Sequence, residues 1–61
     1  MKKVKLNLEG VDGNAFAILG TFQKHARRQG WTKQEIDQVT NKATEGDYNH
    51  LIATIVEHIE D

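Results

Sequence analysis

The 61-residue chain contains no cysteine, no proline and no serine. Without cysteine it can form neither a disulfide nor a thiolate metal site. The lack of proline and serine argues against a low-complexity segment or a flexible linker. No apolar run approaches the roughly 18 residues of a membrane span, and Lys5 and Glu9 interrupt the apolar core that a signal peptide needs. These absences predict a single cytoplasmic domain over residues 1–61, with no membrane contact.

The net charge of −1 conceals an uneven distribution along the chain. Residues 1–33 carry seven Lys or Arg against two Asp or Glu, a net charge of +5. Residues 34–61 carry one Lys against seven acidic residues, a net charge of −6. Either the two halves attract each other, within one fold or across a dimer, or they form a bipolar surface whose basic face binds an acidic partner.

The segment 3–8 alternates between apolar and polar residues, as a half-buried β-strand does. Its apolar residues are Val4, Leu6 and Leu8, and its polar residues are Lys3, Lys5 and Asn7. One strand cannot satisfy its own backbone hydrogen-bonding groups. Residues 9–14, rich in glycine and acid, offer only a short hairpin. Otherwise the second strand comes from another molecule, which predicts a homodimer or a partner-docking edge at the N-terminal strand.

The rest of the chain has helical periodicity. A first helix is predicted over about residues 14–29, with Gly30 as its C-cap and Phe16 beside its apolar stripe. Thr32 and Glu35 have the spacing of a capping box and predict the start of a second helix. Trp31, just before that cap, is placed to act as a hydrophobic staple over the helix junction.

A third helix is predicted to follow directly. Gly46 ends the second helix and Asp47 caps the third, whose apolar stripe extends to Ile59. Its acidic end is unfavourable for a helix C-terminus, so its last turn should fray. The predicted fold is therefore α+β: an N-terminal β-strand or short hairpin followed by three short α-helices around one small core. The residues expected at the centre of that core are Leu19, Phe22, Ile52 and Ile55.

The sequence offers little for catalysis or metal binding. His25, His50 and His58 lack the spacing of a metal-ligand pair on one helix face. With neither serine nor cysteine, a covalent mechanism would need an activated threonine or lysine, and no such arrangement is visible. We therefore expect no metal, no cofactor and no enzymatic activity.

Lys24, Arg27 and Arg28 form the best binding candidate in the helical part. Positive charge in the last turns of a helix complements the helix dipole, which is a sufficient structural reason for these residues. Alternatively the cluster binds an acidic protein surface or nucleic-acid phosphate.

The alternating start, the following helix, the glycine turn and the Thr32-capped helix resemble the ribbon-helix-helix repressors. In that family two such strands pair antiparallel across a dimer and enter the major groove of DNA. The resemblance implies that Lys3, Lys5 and Asn7 read bases, while Thr32 and Lys33 contact phosphate. It supplies the alternative function, a dimeric DNA-binding transcriptional repressor.

Three segments, 8–16, 26–31 and 46–51, are similar to short uncharacterised proteins of bacteriophages and their bacterial hosts. This resemblance implies a phage or mobile-element source and a location in the host cell cytoplasm. Small proteins of that kind often bind a host factor. The preferred hypothesis is a non-catalytic interaction protein that binds and modulates a host macromolecule, with a host protein as the expected partner.

Overall fold

The computed structural model describes residues 2–61; Met1, the first residue of the predicted domain, lies outside the described residues. The chain forms an α+β fold with two very short strands and three helices. In chain order these are β1 (Val4–Lys5), α1 (Ala15–Arg28), α2 (Lys33–Ala43), α3 (Tyr48–Glu57) and β2 (Ile59–Glu60). The three helices pack on one another, and β1 also packs against α1.

The two strands pair parallel, with Val4 beside Ile59 and Lys5 beside Glu60. The backbone N–H of Val4 donates to the His58 carbonyl at 2.8 Å, and that of Leu6 donates to the Glu60 carbonyl at 2.9 Å. Parallel strands need a long crossover connection, and here all three helices lie in it. The sheet therefore brings the two ends of the described chain together.

This pairing corrects both sequence-based alternatives for the second strand. Residues 9–14 do not form a hairpin: Gly10 has a positive φ of 83°, and the Val11 N–H closes a turn onto the Leu8 carbonyl at 3.0 Å. Nor does another molecule supply the second strand, because β1 pairs within the same chain. The partner is Ile59–Glu60, in the segment that was predicted to be the frayed end of the third helix.

The helix starts follow the capping pattern of the sequence, whereas α2 ends at Ala43, with Thr44 as its C-cap, before the predicted end at Gly46. At the start of α2, Thr32 Oγ1 accepts the Glu35 N–H and the Glu35 carboxylate accepts the Thr32 N–H, so the predicted capping box is confirmed. Asp47 caps α3 as predicted, by accepting the His50 N–H. The end of α1 is a Schellman motif, because the Trp31 N–H reaches the Ala26 carbonyl across Gly30, which has a φ of 91°.

The core lies between the three helices and β1. Phe22 and Ile55 are fully buried, as predicted, whereas Leu19 and Ile52 are only partly buried at its edge. Trp31 is buried and packs edge-to-face on Phe22, with ring centroids 5.6 Å apart. The other buried apolar residues are Val4, Leu6, Ile18, Ala26, Ile36, Val39, Ala43 and Leu51.

Candidate functional site

The basic residues of α1 lie together around one solvent-open depression on the helix. The depression is about 340 Å³ in volume. Its lining residues are Gly20, Gln23, Lys24, Arg27 and Arg28. The structure thus places the three predicted helix cations on one surface, which we call the basic face.

None of the three cations of the basic face forms an ion pair within residues 2–61. The pairs in that range are Lys2 with Glu35 at 3.0 Å and Lys33 with Asp37 at 3.4 Å. Both pairs join the basic N-terminal half of the sequence to the acidic C-terminal half. The basic face takes no part in either pair, so its three cations are exposed to solvent.

The helix dipole accounts for only part of this cluster. Arg27 and Arg28 lie in the last turn of α1, where the dipole favours positive charge. Lys24 lies before the last turn, and the dipole interaction falls off within one turn. The helix dipole therefore gives no reason for Lys24 to be basic.

The strand candidates are exposed as predicted, but they are less free than the sequence indicated. Lys3, Lys5 and Asn7 are all exposed. The Asn7 side-chain oxygen accepts the Glu9 N–H at 2.8 Å, so it is engaged in a local turn. Glu60 stands beside Lys5 in the sheet and brings negative charge to it. This intrachain parallel pairing differs from the antiparallel pairing between chains that the ribbon-helix-helix resemblance implies.

The side chain of Gln29 covers the outer edge of β1. Its amide nitrogen donates to the Lys5 carbonyl and its amide oxygen accepts the Lys5 N–H, both at 2.8 Å. The side-chain amide thus imitates a neighbouring strand. It also fixes Lys5 beside the C-terminal end of α1, the end that carries Arg27 and Arg28.

A second depression, about 180 Å³ in volume, lies near Trp31, Glu35 and His58. The Lys2 ammonium lies 5.2 Å from the Trp31 ring centroid and also contacts Glu35. Hydrogen bonding from the Thr32 backbone, followed by the interaction with Lys2, holds the pKa of Glu35 below its usual value of 4.5. The ionised Glu35 thus secures both the start of α2 and the chain segment before β1.

The three histidines are each tied to a backbone carbonyl. A ring N–H donates from His25 to Thr21, from His50 to Lys42 and from His58 to Thr54, at 2.8–2.9 Å. Across residues 2–61, no three His, Asp or Glu side chains are grouped so that they could hold a metal ion.

Three residues of interest were not identified as functional from the sequence. Gly20 lies inside α1, where a Cβ would meet open space. Phe16, one turn before it, is 88% exposed. Gln29 clamps the strand edge. For Gly20 the sequence does contain a signal, because a glycine inside a strongly periodic helix weakens that helix and no turn requires it there.

Comparison with protein-family models, with curated proteins and with solved structures finds no match to this chain. Over residues 2–61, no helix has the length and apolar character that crossing a membrane requires.

Proposed function

We propose that this chain is a non-catalytic interaction protein that binds and modulates a host macromolecule by presenting the basic face to an acidic partner. The observation that supports this most is the shared depression lined by Lys24, Arg27 and Arg28, with no ion pair to neutralise them within residues 2–61. Clustered unpaired cations raise the local potential and steer an acidic partner toward the surface.

The test compares capture from a bacterial lysate by the wild-type protein and by a triple variant, Lys24→Glu, Arg27→Glu and Arg28→Glu. Reversed charges near a helix C-terminus also weaken the helix, so a matched control is needed. Lys42→Glu provides one, because Lys42 is exposed in the last turn of α2, outside the basic face. We expect the wild type and Lys42→Glu to retain the same partner and the triple variant to lose it.

Circular dichroism should first show that all three proteins are folded. Capture that is identical for the triple variant and the wild type would contradict a role for the basic face. The DNA-binding alternative is tested in parallel with generic duplex DNA at about 50 and 200 mM salt, since phosphate contacts weaken steeply over that range. A salt-sensitive shift that requires Lys3 and Lys5 would favour the repressor.

Self-association through the N-terminal strand stays a prediction. Gln29 occupies the outer edge of β1 at Lys5, so a second chain would have to displace it or use the outer edge of β2. Sedimentation over a range of concentrations decides between monomer and dimer.

A further inference from the structure

The depression on the basic face has the residue spacing of a helix-packing hole. Gly20, Gln23, Lys24 and Arg27 stand at positions i, i+3, i+4 and i+7 of α1, and Arg28 lies alongside. In knobs-into-holes packing, four residues of one helix surround a side chain inserted from the facing helix. Gly20, Lys24 and Arg27 are exposed, whereas Gln23 is half-buried and its side-chain amide donates to Thr40 Oγ1 at 3.0 Å. The depression between the four residues is open to solvent, and no side chain from another element of residues 2–61 lines it.

Gly20 deepens that hole. It lies inside an α-helix without a positive φ, and a Cβ built on it would contact nothing within 4 Å. Neither a turn nor internal packing therefore requires glycine here, although glycine in a helix interior costs roughly 0.5–1 kcal/mol relative to alanine. A partner that approaches the α1 backbone closely gives the glycine a role.

Phe16 lies next to this face on α1, where it lines a separate depression together with Leu19 and Tyr48. It precedes Gly20 by four residues, so the two lie one above the other along the helix. It is 88% exposed, the largest value among the large apolar side chains of the described chain. From Phe16 to Arg27 this side of α1 extends about 16 Å along the axis. It begins with an apolar ring, continues over a glycine and ends in positive charge.

From these observations we infer that an acidic amphipathic helix of a partner protein docks along α1, with an apolar side chain seated over Gly20. This inference rests on the proposed function and names the chemistry of the partner. The helix's acidic residues lie against Lys24, Arg27 and Arg28, whose aliphatic stems also line the hole. A second apolar residue of the helix packs on Phe16. Charge complementarity selects a protein with an acidic helix over a neutral or basic one.

The probe is a library of random peptides of about 15 residues, roughly four helical turns, selected for binding to the folded wild-type protein. We expect enrichment of peptides that combine Asp or Glu with large apolar residues at i, i+3 or i+4 spacing, the pattern of helix-in-groove recognition. No enrichment, or enrichment without that pattern, would overturn the inference.

The selected peptides are then titrated against four variants. Gly20→Leu fills the hole with a good helix former, and Phe16→Ala removes the apolar contact. Each should weaken binding by about tenfold or more, as loss of a central contact does. Val56→Ala is the matched control, since Val56 is a 51% exposed apolar residue of α3, and it should leave binding unchanged. Lys24→Glu should weaken binding as well.

The variants separate the two proposals. Binding that is lost in Lys24→Glu but kept in both Gly20→Leu and Phe16→Ala would overturn the docked helix and leave the basic face as the binding surface. Binding that is kept in Lys24→Glu would contradict both. Single-stranded DNA is titrated alongside; tight binding that depends on Phe16 would indicate base stacking and would overturn the protein partner.

Discussion

At the scale of single residues, two glycines of this chain differ in whether the backbone requires them. Gly30 adopts a φ of 91° and lets α1 end in a Schellman motif. Gly20 lies in an ordinary helical position with open space beyond its Cα. The same residue type is thus required by the backbone at one position and unexplained by the fold at the other.

Alanine at each position distinguishes these roles. Gly30→Ala should lower the free energy of unfolding by about 1–2 kcal/mol, because a side chain is strained in the left-handed region. Gly20→Ala should raise it by roughly 0.5–1 kcal/mol. Both changes restrict the unfolded chain equally, so each is the control for the other. Urea denaturation measures both values, and equal shifts in one direction would contradict the assignment.

Glu35 gives the molecule a specific response to acid. Its pKa is held below 4.5 by the Thr32 backbone and by Lys2, so the folded state binds its proton less tightly than the unfolded state does. The stabilisation of the fold by the Glu35 charge is therefore present above about pH 4.5. It is lost as the pH falls through the lowered pKa that Glu35 has in the folded protein.

Glu35→Gln tests this linkage, because glutamine can keep the capping-box hydrogen bond but loses the charge. We expect the wild type to melt at a higher temperature than the variant at neutral pH, with the gap closing in acid as the wild-type carboxylate becomes protonated. Thermal melts across that pH range measure the gap. A gap of constant size down to strong acid would show that the charge of Glu35 is not its source.

At the scale of secondary-structure elements, β1 is held on both sides by different means. One edge pairs with β2, and the other is closed at Lys5 by the Gln29 amide. An exposed strand edge is a template for pairing with another chain. The Gln29 side chain therefore protects the outer edge of β1 at Lys5.

Gln29→Ala should remove that protection. The loss of two hydrogen bonds, each contributing about 0.5–1.5 kcal/mol, should lower the free energy of unfolding. It should also increase self-association, because the Lys5 backbone becomes available to another strand. Denaturation and sedimentation measure the two effects. Gln34→Ala is the control, since Gln34 is exposed near the start of α2; equal behaviour of the two variants would contradict the role of Gln29.

At the scale of the whole molecule, local features could be predicted and long-range ones could not. The capping box at Thr32 and the Asp47 cap depend on neighbouring residues, and the structure confirms both. The end of α1 is also local, although its C-cap is Gln29 and Gly30 is the left-handed residue that follows the cap. Ile59 was assigned to the third helix because its apolar character fits that stripe. Two residues are too short to show strand periodicity, so β2 becomes visible only when the fold brings it to Val4.

The features of the candidate site also divide into local ones, which the sequence predicts, and long-range ones, which it does not. The basic cluster of α1 could be predicted, since residues at helical spacing share a face whatever surrounds them. The packing hole at Gly20 and the exposure of Phe16 could not, because both depend on which sides of α1 the other helices cover. The role of Asn7 in binding stays a prediction; the structure adds that its side-chain oxygen also accepts the Glu9 N–H in a local turn. Side-chain polarity alone does not distinguish these two roles.

The parallel pairing of Val4 with Ile59 has a consequence for how the chain folds. These residues lie almost a full chain length apart, whereas the helices form from near neighbours. Closing so long a loop is entropically unfavourable until other contacts have shortened it, so the strand pair should form late, after the helices have collapsed. A short peptide linker joining the two ends would give a backbone-cyclised protein whose unfolded state has already lost that entropy. We expect such a circle to refold faster than the linear chain.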